Sequence, residues 1–221
     1  MTVYTMEIEN DRKLSFTYKD IDKDRLIIFL PGVSGNAMTD RFKHLEEIAT
    51  FTGFSMARMD FQFQQYKDES LTINDCIRDV NSLLEYLKRR DINHAKEIVI
   101  IAKSFGGLIY QLLNIKIDKA ILLAPFFILK DNDMKYINIP LKDLSSERYL
   151  DKKVLKDVPT LIIHGIKDVI IKVDNSLEIS KQNTRYQLLK INTDHSFNET
   201  ETQKTIVKNS IKFIQHGNLK I

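Results

Sequence analysis

The chain predicts an α/β fold: a mostly parallel central sheet with helices on both faces, an N-terminal β-hairpin and a short lid. Three observations predict it. Strand-length segments with apolar centres at residues 26–30, 98–102, 119–124 and 160–164 each stop at or near Pro or Gly, as buried strands do. Stretches with helical apolar spacing separate several of these segments. The length of 221 residues also suits a single domain over residues 1–221 with a sizeable core.

Residues 3–8 and 14–18 read as two strands joined by Glu9-Asn10-Asp11-Arg12, hence the hairpin. Residues 26–30 form the first buried strand, ended by Pro31-Gly32. Residues 40–52 carry Phe42, Leu45, Ile48 and Ala49 at helical spacing, with Gly53 as the stop. A strand at 54–59 follows, then a polar and aromatic loop at 60–70. Thr72 and Asp75 make a capping box for a helix whose inner face is Ile77, Val80, Leu83, Leu84 and Leu87. Residues 98–102 are the strongest strand and lead through Lys103-Ser104-Phe105-Gly106-Gly107 into a helical stretch at 108–114. Strands at 119–124, 160–164 and 186–191 and an amphipathic helix at 202–213 complete the pattern. Residues 126–158 are charged and irregular, and long for a connection, which suits a lid.

Composition narrows the function. Net charge is +3 with basic and acidic residues interspersed, as in Lys19 to Arg25, and no basic stripe carries interleaved aromatics, so nucleic acid is not an expected partner. The single cysteine, Cys76, reads as a small core residue and rules out an internal disulfide framework. No apolar run approaches the ~20 residues that span a bilayer, and residues 1–10 lack a secretory pattern, so a cytoplasmic protein is expected. No His/Cys/Asp/Glu cluster has metal-ligand spacing, and no glycine-rich phosphate cradle is present.

Four segments carry chemistry. Ala102-Lys103-Ser104-Phe105-Gly106 lies between a buried strand and a helix, where a sharp turn lifts a serine hydroxyl above the sheet edge. Small residues on either side, Ala102 and Gly106, relieve the crowding of such a turn. A serine that merely caps the helix is the alternative for the pentapeptide alone. Pro31-Gly32-Val33-Ser34-Gly35-Asn36 follows the first buried strand, and the N–H of Val33, with that of Phe105, can stabilise an oxyanion. His164-Gly165-Ile166-Lys167-Asp168 ends another strand; Asp168 can orient an imidazole, while His164 reads as a strand-end residue. Asp194-His195-Ser196-Phe197 places His195 after the last strand, positioned to take a serine proton. Serine, acid and histidine in that order, all beyond carboxyl ends of strands, fit one site.

On these residues the sequence resembles the α/β-hydrolase superfamily over essentially the whole chain. The matching positions are Leu30-Pro31-Gly32 with Gly35, Ala102 to Gly107, His164-Gly165 with Asp168, and Asp194 to Phe197. It departs at Pro31-Gly32, where His-Gly is commoner, and at Ala102, where glycine is commoner. The resemblance implies a serine hydrolase acting on an ester, thioester or amide through an acyl-enzyme, with Ser104, Asp168 and His195 catalytic and no cofactor or metal. It does not fix the substrate; the apolar residues of the segment at 126–158 suggest a small acyl group, so an ester or thioester of a small acyl substrate is the expectation. A peptidase or amidase on the same site, and a non-catalytic binding protein of this fold, are the alternatives. Phe61, Phe63, Phe126 and Phe127 are expected in the substrate pocket, with packing under a loop the competing role for Phe61 and Phe63. Oligomeric state is left open.

Overall fold

The computed structural model describes residues 2–8, 12–68, 70–127 and 155–219. Its strands are β1 (Thr2–Glu7), β2 (Lys13–Lys19), β3 (Arg25–Leu30), β4 (Ser55–Met59), β5 (Glu97–Lys103), β6 (Lys119–Leu123), β7 (Thr160–Gly165) and β8 (Tyr186–Ile191). They form one eight-stranded sheet in the order β1-β2-β4-β3-β5-β6-β7-β8. The β1–β2 hairpin is antiparallel and joins the sheet antiparallel to β4; every later pairing is parallel. The helices are α1 (Leu45–Thr52), α2 (Gln62–Tyr66), α3 (Ile73–Arg89), α4 (Phe105–Leu112), α5 (Val173–Gln182) and α6 (Thr200–His216).

The apolar runs read as doubly covered strands are so in the structure. Along β3, Leu26, Ile28 and Leu30 join one core cluster and Ile27 and Phe29 the other. The same alternation runs through β5 and β6, with α3 and α4 on the first face and α1 and α6 on the second. Each fully buried leucine or isoleucine contributes roughly 1.5–3 kcal/mol, so these runs hold the sheet between its layers. Cys76 lies in the first cluster, as its small apolar character suggests.

Local signals were accurate where their partners lie close in sequence. Thr72 Oγ1 accepts the Asp75 N–H, and Asp75 Oδ2 accepts the Thr72 N–H at 2.7 Å, which completes the capping box of α3. Gly53 ends α1 at φ 72°, a left-handed cap that glycine adopts without strain.

Three boundaries differ from the sequence reading. Residues 40–52 divide into a 3-10 turn at Asp40–Phe42 and α1. Helix α4 starts at Phe105, three residues before the first residue of the stretch at 108–114, because the sharp turn at Ser104 (the elbow) leads directly into it. The loop at 60–70 contains α2, a five-residue helix held by two remote partners, since the Gln62 N–H donates to Asp79 and Gln65 Nε2 to the Ser15 carbonyl, and by one nearby, the Asp60 carbonyl, which also accepts from Gln65 Nε2. The sequence reading also assigned no helix between 164 and 186, where α5 lies. Only Ser176 and Ile179 of α5 are buried, too sparse a stripe to show as helical periodicity. The expected lid at 126–158 lies mostly outside the described residues.

Candidate active site

Strand β5 delivers Ser104 at the edge of the sheet in a strained conformation, φ 49° and ψ −115°. A non-glycine residue there costs of order 1–3 kcal/mol and persists only where its surroundings enforce it. Here they do: the Ser104 N–H donates to the Leu123 carbonyl at 3.0 Å, and the Ser104 carbonyl accepts the N–H groups of Gly107 and Phe126 at 2.9 Å each. Gly106 lets the turn press on the end of β3, since a Cβ there would meet the Leu30 carbonyl oxygen at 2.4 Å. The elbow read from the pentapeptide therefore exists, and the helix that follows starts at its next residue.

The loop after β3 runs beside the serine and lines the same cleft with Gly32, Val33 and Ser34. Among the described residues no hydrogen bond consumes the N–H of Val33 or of Phe105. Gln64 of α2 holds the loop from behind. Its Nε2 donates to the carbonyls of Gly32 at 2.7 Å and Val33 at 3.1 Å, while its Oε1 accepts the Phe61 N–H. Asp60 adds a second tie by accepting the Ala37 N–H at 2.7 Å.

Asp168 and His195 meet because two loops run against each other. Ile166 N–H donates to the Ile191 carbonyl and Lys167 N–H to that of Thr193. Gly165 permits this approach: a Cβ there would lie 2.3 Å from the Thr193 carbonyl oxygen. Asp168 Oδ1 accepts the N–H groups of Ile170 and Ile171 at 2.9 Å each, and Oδ2 accepts His195 Nδ1–H at 2.7 Å. Burial opposes ionisation of this carboxyl, but hydrogen bonds from His164, His195 and the Ile171 N–H overcome it and hold its pKa well below the usual carboxylate range. His195 Nδ1 is thereby the protonated nitrogen of the neutral ring, which leaves Nε2 with a free lone pair.

His164 occupies an unexpected place behind this pair. It is fully buried, and its Nε2–H donates to the Ile171 carbonyl at 2.8 Å and lies 3.2 Å from Asp168 Oδ2. Its Nδ1 accepts from the Ser176 hydroxyl at 2.7 Å. The strand-end reading of His164 is correct, but the residue also fixes the Asp168 loop. Only α5, absent from the sequence reading, supplies Ser176.

Ser104 and His195 line one cleft of about 500 Å³, with Val33, Val169 and Ile170 on its walls. Among the described residues no hydrogen bond joins the two side chains, so the structure brings serine, histidine and acid together without closing the serine–histidine link. The four phenylalanines expected in the pocket lie elsewhere. Phe61, Phe63, Phe126 and Phe127 are all buried in the core cluster under α3 and α4, and none lines this cleft. Phe61 and Phe63 stack on each other and meet the Phe105 ring edge-on, so they support the elbow from below. Arg41, Lys103, Val169 and Ile170 line the cleft but were not read from the sequence as site members. The position of Lys103 beside Ser104 was the available signal.

Among the described residues there is no cluster of three or more His, Cys, Asp or Glu side chains suited to a metal, and no helix is long and apolar enough to cross a membrane. No protein-family model matches the chain, and no curated protein matches its sequence. Solved structures do match its shape. This sheet order, elbow and loop arrangement is the α/β-hydrolase fold. The chain is similar to alpha/beta hydrolase domain-containing protein 10 from mouse, at 14% identity over 97% of this chain and 99% of the other, with a TM-score of 0.75. It is also similar to Est1E from Butyrivibrio proteoclasticus, seen with ferulic acid bound, at 18% identity over 94% and 96% with a TM-score of 0.77. A Pyrococcus furiosus esterase, Pf2001, matches at 17% identity over 97% and 89% with a TM-score of 0.69.

Proposed function

We propose that this protein is a serine hydrolase that cleaves a carboxylic ester or thioester of a small acyl substrate through an acyl-enzyme. The observation that carries the reading is the 2.7 Å bond from His195 Nδ1–H to a carboxylate anchored by two backbone amides, in the cleft that holds Ser104. That arrangement makes His195 Nε2 the base. Ser104 Oγ attacks the acyl carbon as its proton passes to Nε2, and the imidazolium formed is stabilised by Asp168. Because Asp168 is held well below the ordinary carboxylate range, it stays ionised throughout and takes no proton itself. The amides of Val33 and Phe105 hold the developing oxyanion, a role worth about 10²–10³ in rate per donor in comparable sites. His195 then gives its proton to the leaving alcohol or thiol, and water repeats the sequence on the acyl-enzyme. The esterase neighbours support hydrolysis as the reaction class.

The test uses a fluorophosphonate probe and a series of p-nitrophenyl esters with wild type and Ser104→Ala. The expected result is a covalent adduct on Ser104 alone and ester turnover that vanishes in the variant. Labelling elsewhere, or equal turnover by both proteins, refutes the assignment of Ser104.

A further inference from the structure

Two cations share the cleft with Ser104. Lys103, the last residue of β5, points to the second face of the sheet and is only 6% exposed, and its Nζ lies 5.9 Å from the Phe197 ring centroid. Arg41, on the 3-10 turn before α1, lines the same cleft. Among the described residues neither side chain makes an ion pair or donates a hydrogen bond. A nearly buried lysine without a carboxylate partner is costly in a folded protein and marks a site where a charge is to be received.

The acids nearby are already engaged. Asp168 serves His195, His164 and two amides, and Asp194 Oδ1 accepts both the N–H and the hydroxyl of Ser196. Burial, and then the Arg41 guanidinium, pull the Lys103 ammonium down to about 8, against the weaker opposing pull of Asp168 and Asp194. It is therefore still cationic at neutral pH. Val169 and Ile170 also line the cleft and are apolar, so among its lining residues the charge that could meet an anion comes from Lys103, buried, and Arg41, exposed.

We infer that the substrate carries an anionic group, a carboxylate or a phosphate, which Lys103 and Arg41 bind beside Ser104. This rests on the serine-hydrolase reading and narrows its substrate class. An anion paired with Lys103 replaces the missing carboxylate partner and orients the acyl carbon against Ser104 Oγ.

The experiment compares p-nitrophenyl hexanoate with the p-nitrophenyl monoester of adipic acid, which differ by one terminal carboxylate. The quantity read is the ratio of kcat/KM for the anionic over the neutral ester. Wild type should favour the anionic ester by about tenfold or more, the worth of one charge-assisted hydrogen bond. Lys103→Met should abolish that ratio, mainly through KM, and Arg41→Gln should lower it, which keeps the test alive if the first variant misfolds. Glutarate and inorganic phosphate, each tested as a competitive inhibitor of hexanoate hydrolysis, separate the two anions by which binds more tightly. Turnover of hexanoate at least equal to that of the adipate monoester, with Ser104 labelled normally, overturns the anion inference and leaves the hydrolase reading standing. Turnover of neither ester, together with a Ser104 inert to fluorophosphonate, overturns both.

Discussion

Replacing Asp168 by Asn tests the tautomer argument with almost no change of shape. The Asn oxygen keeps the two amide bonds that Oδ1 now accepts from Ile170 and Ile171. The Asn NH2 then falls where Oδ2 accepts His195 Nδ1–H at 2.7 Å. Two donors cannot face each other at that distance, so the His195 proton moves to Nε2 and Nδ1 becomes the acceptor. The ring then presents an N–H to Ser104, where a lone pair is needed. In a serine protease the same exchange costs about 10⁴ in kcat, about 5 kcal/mol at 1.36 kcal/mol per factor of ten. The assay is the rate of fluorophosphonate labelling of Ser104, followed by intact mass, which needs no knowledge of the substrate. Labelling within about tenfold of wild type would refute the reasoning, because that loss is too small for a base with the wrong tautomer. The pH dependence of stability checks the charge. A carboxyl whose folded pKa is depressed stabilises the fold above its unfolded value of about 4, and that stability is lost as pH falls toward the folded value. The Asp168→Asn variant should lack this acid-side loss in urea titrations.

Two further predictions lie behind the site. Gln64→Ala releases the carbonyls of Gly32 and Val33, so the Val33 amide loses its fixed aim; kcat on p-nitrophenyl esters should fall by up to about 10², with little change in KM. An unchanged kcat would remove Gln64 from oxyanion positioning. Asp79 lies buried beneath α2, and burial lifts its carboxyl to about 7 against the two hydrogen bonds from Gln62. Its protonated form is favoured in the fold, so its contribution is full below about pH 4 and is lost as pH rises toward 7, by about 4 kcal/mol at most. Asp79→Asn should therefore gain stability relative to wild type between pH 5 and pH 8 in urea unfolding; a pH-independent difference would contradict the shift.

The elbow and the loops around it show why parts of this site were legible and parts were not. Ser104 and Asp168 were readable because each follows a short segment with an apolar centre, which declares a buried strand through composition, and His195 because it follows the last expected strand, at 186–191. Their order along the chain then set them at one edge of the sheet. The capping box of α3 was readable for a similar reason, since Thr72 and Asp75 satisfy each other within one turn. Helix α2 was not readable, because five residues carry no period and its supports, Asp79 and Ser15, are remote in sequence.

By itself the sequence determined the alternation of strand and helix, the parallel core and the three residues at its edge, because these depend on local periodicity and turn chemistry. Only the tertiary structure decided what surrounds them. It turned Phe61 and Phe63 inward under Phe105, made His164 a support of Asp168 through Ser176, and set Arg41 beside Lys103. Those relations join residues far apart in the chain. Their energies arise from burial and pairing across elements, which no local pattern encodes.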